Sequence, residues 1–343
     1  MRTNRGISFL VVCAVAAVPG FGLSSCERGE GHVGEVVLYC SVDQGFAEGI
    51  IADFEQRTRV HVRVRFDEEA RKTTGLVQRL RAEAANPAAD VFWSSEIFQT
   101  IRLAEEGLLE PYRGEATRRW PVQFADPNGR WHAFALRMRA IAYDTRRVQP
   151  GEAPKSLEDV LDPKWKGRIV MARPHFGTTR GDLASWFVHY GAQPAKDILR
   201  RLKANEVRFV QGNSTAVRKV ASGEADVCFT DTDDVYVAQR NGWPIAMNPL
   251  DQGGRGALAI PNTAALVRGG PNPVHARKLL AYLLSEKVER DLARSESHNV
   301  PVRPALAAEF PKYAFAKALE VDYRQVARRQ REALAAFEGI FGR

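Results

Sequence analysis

Twice along this chain, short apolar runs alternate with segments of helical periodicity, and that alternation leaves few folds open. In the first stretch residues 36–40 form an apolar run of strand length, and 44–56 follow with Phe46, Ile50, Ile51 and Phe54 on one helical face. Val60, Val62, Val64 and Phe66 alternate with His61, Arg63 and Arg65, the period of two of a strand. Residues 73–85 read as a helix stopped by Asn86-Pro87, 89–93 as a strand, and 97–106 as a helix closed by Gly107. The second stretch repeats the pattern, with strands at 168–172, 207–210 and 225–229 and helices at 214–222 and 233–241. Strand–helix alternation of this kind builds mostly parallel sheets flanked by helices, so the expected class is α/β with two such units.

Between the units, residues 131–144 are extended and rich in apolar side chains, with Arg137 and Arg139 among them. They suit a crossover strand, and a second crossing near 248–256 would return the chain. Two crossings make the first lobe discontinuous: 36–136 with 256–343, against a second lobe at 137–255 and a hinge near 131–144 and 248–256. The tail from 314 reads as largely helical, with Glu338 on its surface.

The amino terminus places the folded part outside the cytoplasm. Arg2 and Arg5 precede an apolar run at 7–18, and Leu23-Ser24-Ser25-Cys26 follows. That order describes a secretory signal, 1–25, with Cys26 as a lipidated first residue and 26–35 as a flexible tether to the membrane. The apolar run is shorter than the about 20 residues a membrane-spanning helix needs. The formal charge of +8 is scattered rather than gathered in a stripe, which argues against nucleic acid as a partner. The exported chain is expected to act as a monomer. Cys40 and Cys228 are left in the folded part, as buried thiols or as one disulfide; no CxxC or zinc spacing occurs.

In open parallel sheets ligands sit beyond the carboxyl ends of the strands, beside helix N-termini. Every such position here carries hydroxyls or carboxylates: Ser41 and Asp43, then Asp67, Glu68 and Glu69, then Ser94, Ser95 and Glu96. In the second unit they are Thr178 and Thr179, then Asn213, Ser214 and Thr215, then the run Thr230, Asp231, Thr232, Asp233, Asp234. Each could be no more than a helix cap. Three carboxylates within four residues repel one another, however, and a bound cation relieves that. Hydroxyls at helix starts favour an oxyanion. The pattern fits a metal with a companion anion, or a zwitterionic organic solute. Nothing matches a nucleophile elbow, Walker loop or zincin motif, so the chain reads as a binding protein rather than an enzyme.

Four runs carry a resemblance: LYCSVD at 38–43, ADVFWSSEIFQTIRLAEEGLLEPY at 89–112, RMRAIAYD at 137–144 and GNSTAVRKVASGEADVCFTDTDD at 212–234. Together they resemble the ferric-iron substrate-binding proteins of ABC transporters, within the type II periplasmic solute-binding proteins. The resemblance implies two α/β lobes that close on Fe(3+) as cargo and deliver it to a membrane permease. It implies metal ligands at Asp43 or its neighbour, at Ser95 or Glu96, at Tyr143 and near Asp233, and with the crowded carboxylates the expected set is Asp43, Glu96, Tyr143, Asp231 and Asp233. It gives Arg139 as the holder of a carbonate or similar anion, and the strand ends and helix starts add Ser41, Ser95, Thr178, Thr179, Asn213, Ser214, Thr215 and Thr230 as ligand-binding candidates. The chain departs from the family in having no pair of adjacent tyrosines; Thr232-Asp233 falls where that pair would stand. An organic carrier, of a phosphonate or a polyamine, is the alternative, and a bilobal enzyme of the same fold a more remote one.

Overall fold

The computed structural model describes residues 32–67, 73–314 and 317–342. The signal 1–25, Cys26, the tether up to residue 31 and Glu68 and Glu69 lie outside them. The strands are β1 (Gly34–Cys40), β2 (Val60–Phe66), β3 (Val91–Ser94), β4 (Leu109–Glu110), β5 (His132–Asp144), β6 (Ile169–Ala172), β7 (Arg208–Val210), β8 (Val227–Asp231), β9 (Ile245–Pro249) and β10 (Ala259–Val267). The helices are α1 (Gln44–Thr58), α2 (Thr74–Ala82), α3 (Ile97–Glu105), α4 (Leu157–Val160), α5 (Gly177–His189), α6 (Ala192–Ala204), α7 (Asn213–Ala221), α8 (Thr232–Arg240), α9 (Pro273–Leu283), α10 (Glu286–Arg294), α11 (Pro304–Ala307) and α12 (Tyr323–Phe341).

The strands run in the order β2-β1-β3-β10-β5-β8-β6-β7, with β4 beside β10 and β9 beside β5. Two parallel trios, β2-β1-β3 and β8-β6-β7, flank the antiparallel pair β10 and β5. Alternation along β1 feeds two cores. Val36, Leu38 and Cys40 face one, and Val37 and Tyr39 the other. A parallel strand buried on both faces reads as a continuous apolar run for this reason. Cys40 and Cys228 are both buried, and no disulfide joins the two.

β5 is the element that joins the halves. Its first part, to Met138, pairs with β10; from Arg139 onward it pairs with β8 and β9. The expected crossover at 131–144 therefore exists as one thirteen-residue strand. The second crossing lies close to the expected 248–256, between β9 and β10. The chain leaves β9 at Pro249, turns, and enters β10, which continues well past Ile260 through Pro261. Proline cannot donate to a ladder and normally argues against a strand interior. Here the register shifts between Pro261 and Asn262, and that irregularity absorbs the missing N–H.

The carboxyl-terminal helix touches both halves. Near its start the Tyr323 hydroxyl donates to Ala259 O, and Gln330 accepts from Gln99 in α3. Near its end Phe337 and Phe341 pack on Phe209 of β7. Glu338 is not a bystander on the surface: it meets His175 at 3.3 Å, beside the loop that leads into α5. Among the described residues no helix is long and apolar enough to cross a membrane.

Buried titratable groups give this fold a pH signature. His132, at the start of β5, lies between Tyr112 and Trp120, and burial pushes its imidazole down to about 4. The folded state then binds fewer protons than the unfolded chain between pH about 4 and 6.5. Stability from neutral His132 is full above that window and falls by about 3 kcal/mol as pH drops through it. Glu96 works in the opposite direction. Burial pushes its carboxyl up to about 7, against the N–H groups of Gln99 and Phe98 and the charges of Arg137 and Arg180. Its contribution is full at low pH and is lost as pH rises towards 7. In His132→Gln the acid-side loss should vanish and the Glu96 slope should stand alone, so that urea midpoints fall as pH rises from 5 to 7. A variant that still weakens on acidification over that range would show that His132 is not the group responsible.

Candidate functional site

The strand ends converge as the parallel-sheet rule requires. Beyond β6, β7 and β8 the chain enters α5, α7 and α8, whose first turns carry Thr178 and Thr179, Asn213 and Ser214, and Asp233 and Asp234. Opposite them stand Asp43 at the start of α1 and Ser95 at the end of β3. Together with Arg137 and Arg173 these residues line a cavity of about 60 Å³. A second cavity of about 320 Å³ adjoins it and shares Asp43, Phe46, Ser214, Asp233 and Asp234 as a common wall. Its other walls are more apolar, with Val217, Val237, Ala238 and Trp243. Carboxylate oxygens of Asp231, Asp233 and Asp234 lie within 4.8 Å of one another, close enough for a single metal ion.

Asp231, however, is already engaged. Its Oδ1 accepts from Arg139 Nη1 at 2.7 Å. Its Oδ2 accepts from Thr178 Oγ1 at 2.6 Å, Asn213 Nδ2 at 3.0 Å and Arg137 Nε at 3.3 Å. Four donors on one buried carboxylate leave little for a metal. Burial raises its pKa, but Arg139 and Arg137 outweigh that and hold the group below the usual carboxylate range. Asp231 is thus the fixed centre on which Arg137, Thr178 and Asn213 are oriented. Thr179 extends the same network through Asn213 Oδ1.

Arg139 does not take the expected anion-holding role, for the same reason. It is fully buried between Asp231 and Asp182 and does not line either cavity. Arg137, two residues earlier on the same face of β5, takes the place expected of it. Its Nε is anchored between Asp231 and Asp233, at 3.3 and 3.6 Å.

Two other expected ligands stand elsewhere. Both carboxylate oxygens of Glu96 accept from the first N–H groups of α3, so the residue is a buried helix cap and not a cavity wall. Tyr143 pairs with Val227 and Ala246, at the end of β8 remote from Asp231, and lies in the core. Ser41 is bound within a hydroxyl cluster, accepting from Ser95 N at 2.9 Å and from Thr73 Oγ1. Thr230 donates to Asp234, and Thr215 accepts from Arg218, outside both cavities. Among the described residues neither cavity is lined by a tyrosine or a histidine. Arg173 and Phe46 also line the site, although neither is among the expected site residues. Arg173 could have been found, since it directly follows β6.

Three comparisons place this arrangement. Over 323 residues the chain is 29% identical to iron uptake protein A1 of Synechocystis sp., covering 88% of this chain and 87% of that protein. It is 25% identical to the major ferric iron-binding protein of Neisseria meningitidis, covering 92% of each. Its structure matches the crystal structure of iron-bound HitA from Pseudomonas aeruginosa with a TM-score of 0.80 and 26% identity, over 90% of this chain and 99% of that one. The chain thus has the two-lobe type II periplasmic-binding-protein fold. A family model described as bacterial extracellular solute-binding protein matches residues 86–325, and the chain belongs to that family.

Proposed function

We propose that this chain is the extracytoplasmic binding component of an ABC importer and that its cargo is ferric iron, held between the halves at the shared wall of the two cavities. Asp43, Asp233 and Asp234 are the ligands from the protein. The acidic first turn of α8, set against Asp43 and beside Arg137, is the observation that carries the reading. Relatives named for iron uptake and ferric iron binding support it. Ferric iron is small, hard and highly charged, and oxygen-only donors suit it without a phenolate. A carbonate or similar small anion completes the shell, held by Arg137, by Ser214 and by the N–H groups that open α5 and α7.

The halves, 36–136 with 256–343 and 137–255, close about β5 and the β9–β10 turn, with α12 strapped across both. The chain works as a monomer, tethered by a lipid on Cys26, and passes its cargo to a permease. Metal analysis of the full chain, extracted from membranes without chelator, is expected to show about one iron per chain, and intact mass on the same sample a diacylglyceryl group at Cys26. Iron-free protein that gives no heat with ferric citrate but binds an aminoalkylphosphonate would overturn the iron reading.

A further inference from the structure

Beyond the cargo site, α8 is gripped from the opposite half by an aromatic cluster. The His298 ring stacks on Tyr313, with centroids 4.0 Å apart and planes 8° from parallel. Tyr236 of α8 meets both rings edge-on, at 5.0 and 5.2 Å. One turn further along α8, Arg240 forms an ion pair with Glu296. The grip crosses between separately anchored elements. The segment carrying Glu296 and His298 is fixed to the first part of β5, where Leu136 and Val300 exchange backbone hydrogen bonds. α8 grows directly out of β8, in the other half. His298 has a φ of +46°, a left-handed conformation that costs a non-glycine residue energy and is kept only where the surroundings enforce it. It is held there by its own N–H to Ser295 O and by Nδ1 against Ala293 O.

We propose that Tyr236, His298 and Tyr313 are positioning residues: they clasp α8 to the 295–313 segment and stabilise the closed arrangement of the cavity walls, in cargo-free molecules as well as loaded ones. Both cavities feel this clasp. Asp233 and Asp234 ride on the first turn of α8, Glu296 lines the larger cavity and Asn299 the smaller. Edge-to-face and stacked rings attract beyond the area they bury, so the ring contacts dominate; the Arg240–Glu296 pair is mostly exposed and adds little. The inference does not depend on which solute is carried.

Amide hydrogen exchange on the cargo-free full chain tests it. Tyr236→Ala should speed exchange in 295–300 and in α8 by roughly tenfold, while the central strands stay protected. Tyr236→Phe keeps the ring and should behave as wild type. Tyr313→Ala, at the rim, should reproduce the effect of Tyr236→Ala and serves if that variant folds poorly. With ferric iron bound, either alanine variant should release it faster to a chelator. Exchange that is unchanged in both alanine variants, or raised equally across the whole chain, overturns the clasp. So does Tyr236→Phe matching Tyr236→Ala. If no iron binds at all, the iron reading fails while the exchange result still decides the clasp.

Discussion

Asp231→Ala is expected to cost about 3–5 kcal/mol of unfolding free energy, because it strips a buried ion-pair network of its centre. Arg139 is 1% exposed and lines neither cavity, so its guanidinium cannot turn to water for a replacement partner; Arg137, 6% exposed, has only the small cavity to turn to. Arg139 keeps Asp182, at 3.1 Å, while Arg137 keeps only the longer contact to Asp233. Thr178 and Asn213 lose their shared acceptor as well. Asp231→Asn preserves the shape and part of the hydrogen bonding, and should fall between wild type and alanine. The acid limb gives a second readout. With a folded pKa below that of the unfolded chain, the carboxylate stabilises fully above pH about 4 and loses this as pH falls through the folded value. Asp231→Ala should lack that part of the acid transition. Urea melts at pH 7 and pH 3 measure both, and a variant as stable as wild type at pH 7 would mean the network is not what holds β5 to β8.

How much of this could be read from the sequence depends on the range of the interactions involved. β1, β2 and β3 lie within one or two residues of their expected places, since period-two burial and short apolar runs are local signals. Residues 257–260 are strand-like in sequence, but β10 runs on to Val267. Its Pro261 is a local argument against a strand, and only the pairing with β5 shows that a register shift accommodates it. The position of the site was legible because the parallel-sheet rule needs only strand ends and helix starts. The roles within it were not. Tyr143 lies four residues beyond Arg139 on an extended strand, about 13 Å away at the usual rise per residue. A resemblance transfers the residue but not that displacement. Asp231 reads as one of three equivalent carboxylates until its arginines arrive from β5, more than ninety residues earlier in the chain. The aromatic clasp joins positions 236, 298 and 313, which no local pattern connects.

The same distinction among the carboxylates sets the second large effect. Asp233→Ala should weaken ferric binding about a hundredfold, since it removes a charged ligand from a partly desolvated cluster. Unlike Asp231, Asp233 lines both cavities and is only partly buried, with Arg137 Nε at 3.6 Å and the Asp234 N–H donating to it at 3.1 Å. Its loss should therefore leave stability close to wild type and affect binding. Glu338, which contacts His175 beside the site, is a poor control; the exposed Glu152 is a better one. Protons compete with the metal for carboxylate ligands, so wild-type affinity should fall as pH drops, and less steeply in the variant, which has one ligand fewer to protonate. Arg137→Gln separates the anion from the metal. It should weaken binding most when carbonate or phosphate is present, because the anion loses its guanidinium. Calorimetry with ferric citrate across pH 5 to 8, with and without added carbonate, reads all three effects. Tight binding that survives Asp233→Ala unchanged would reduce the acidic turn of α8 to a helix start and move the cargo elsewhere.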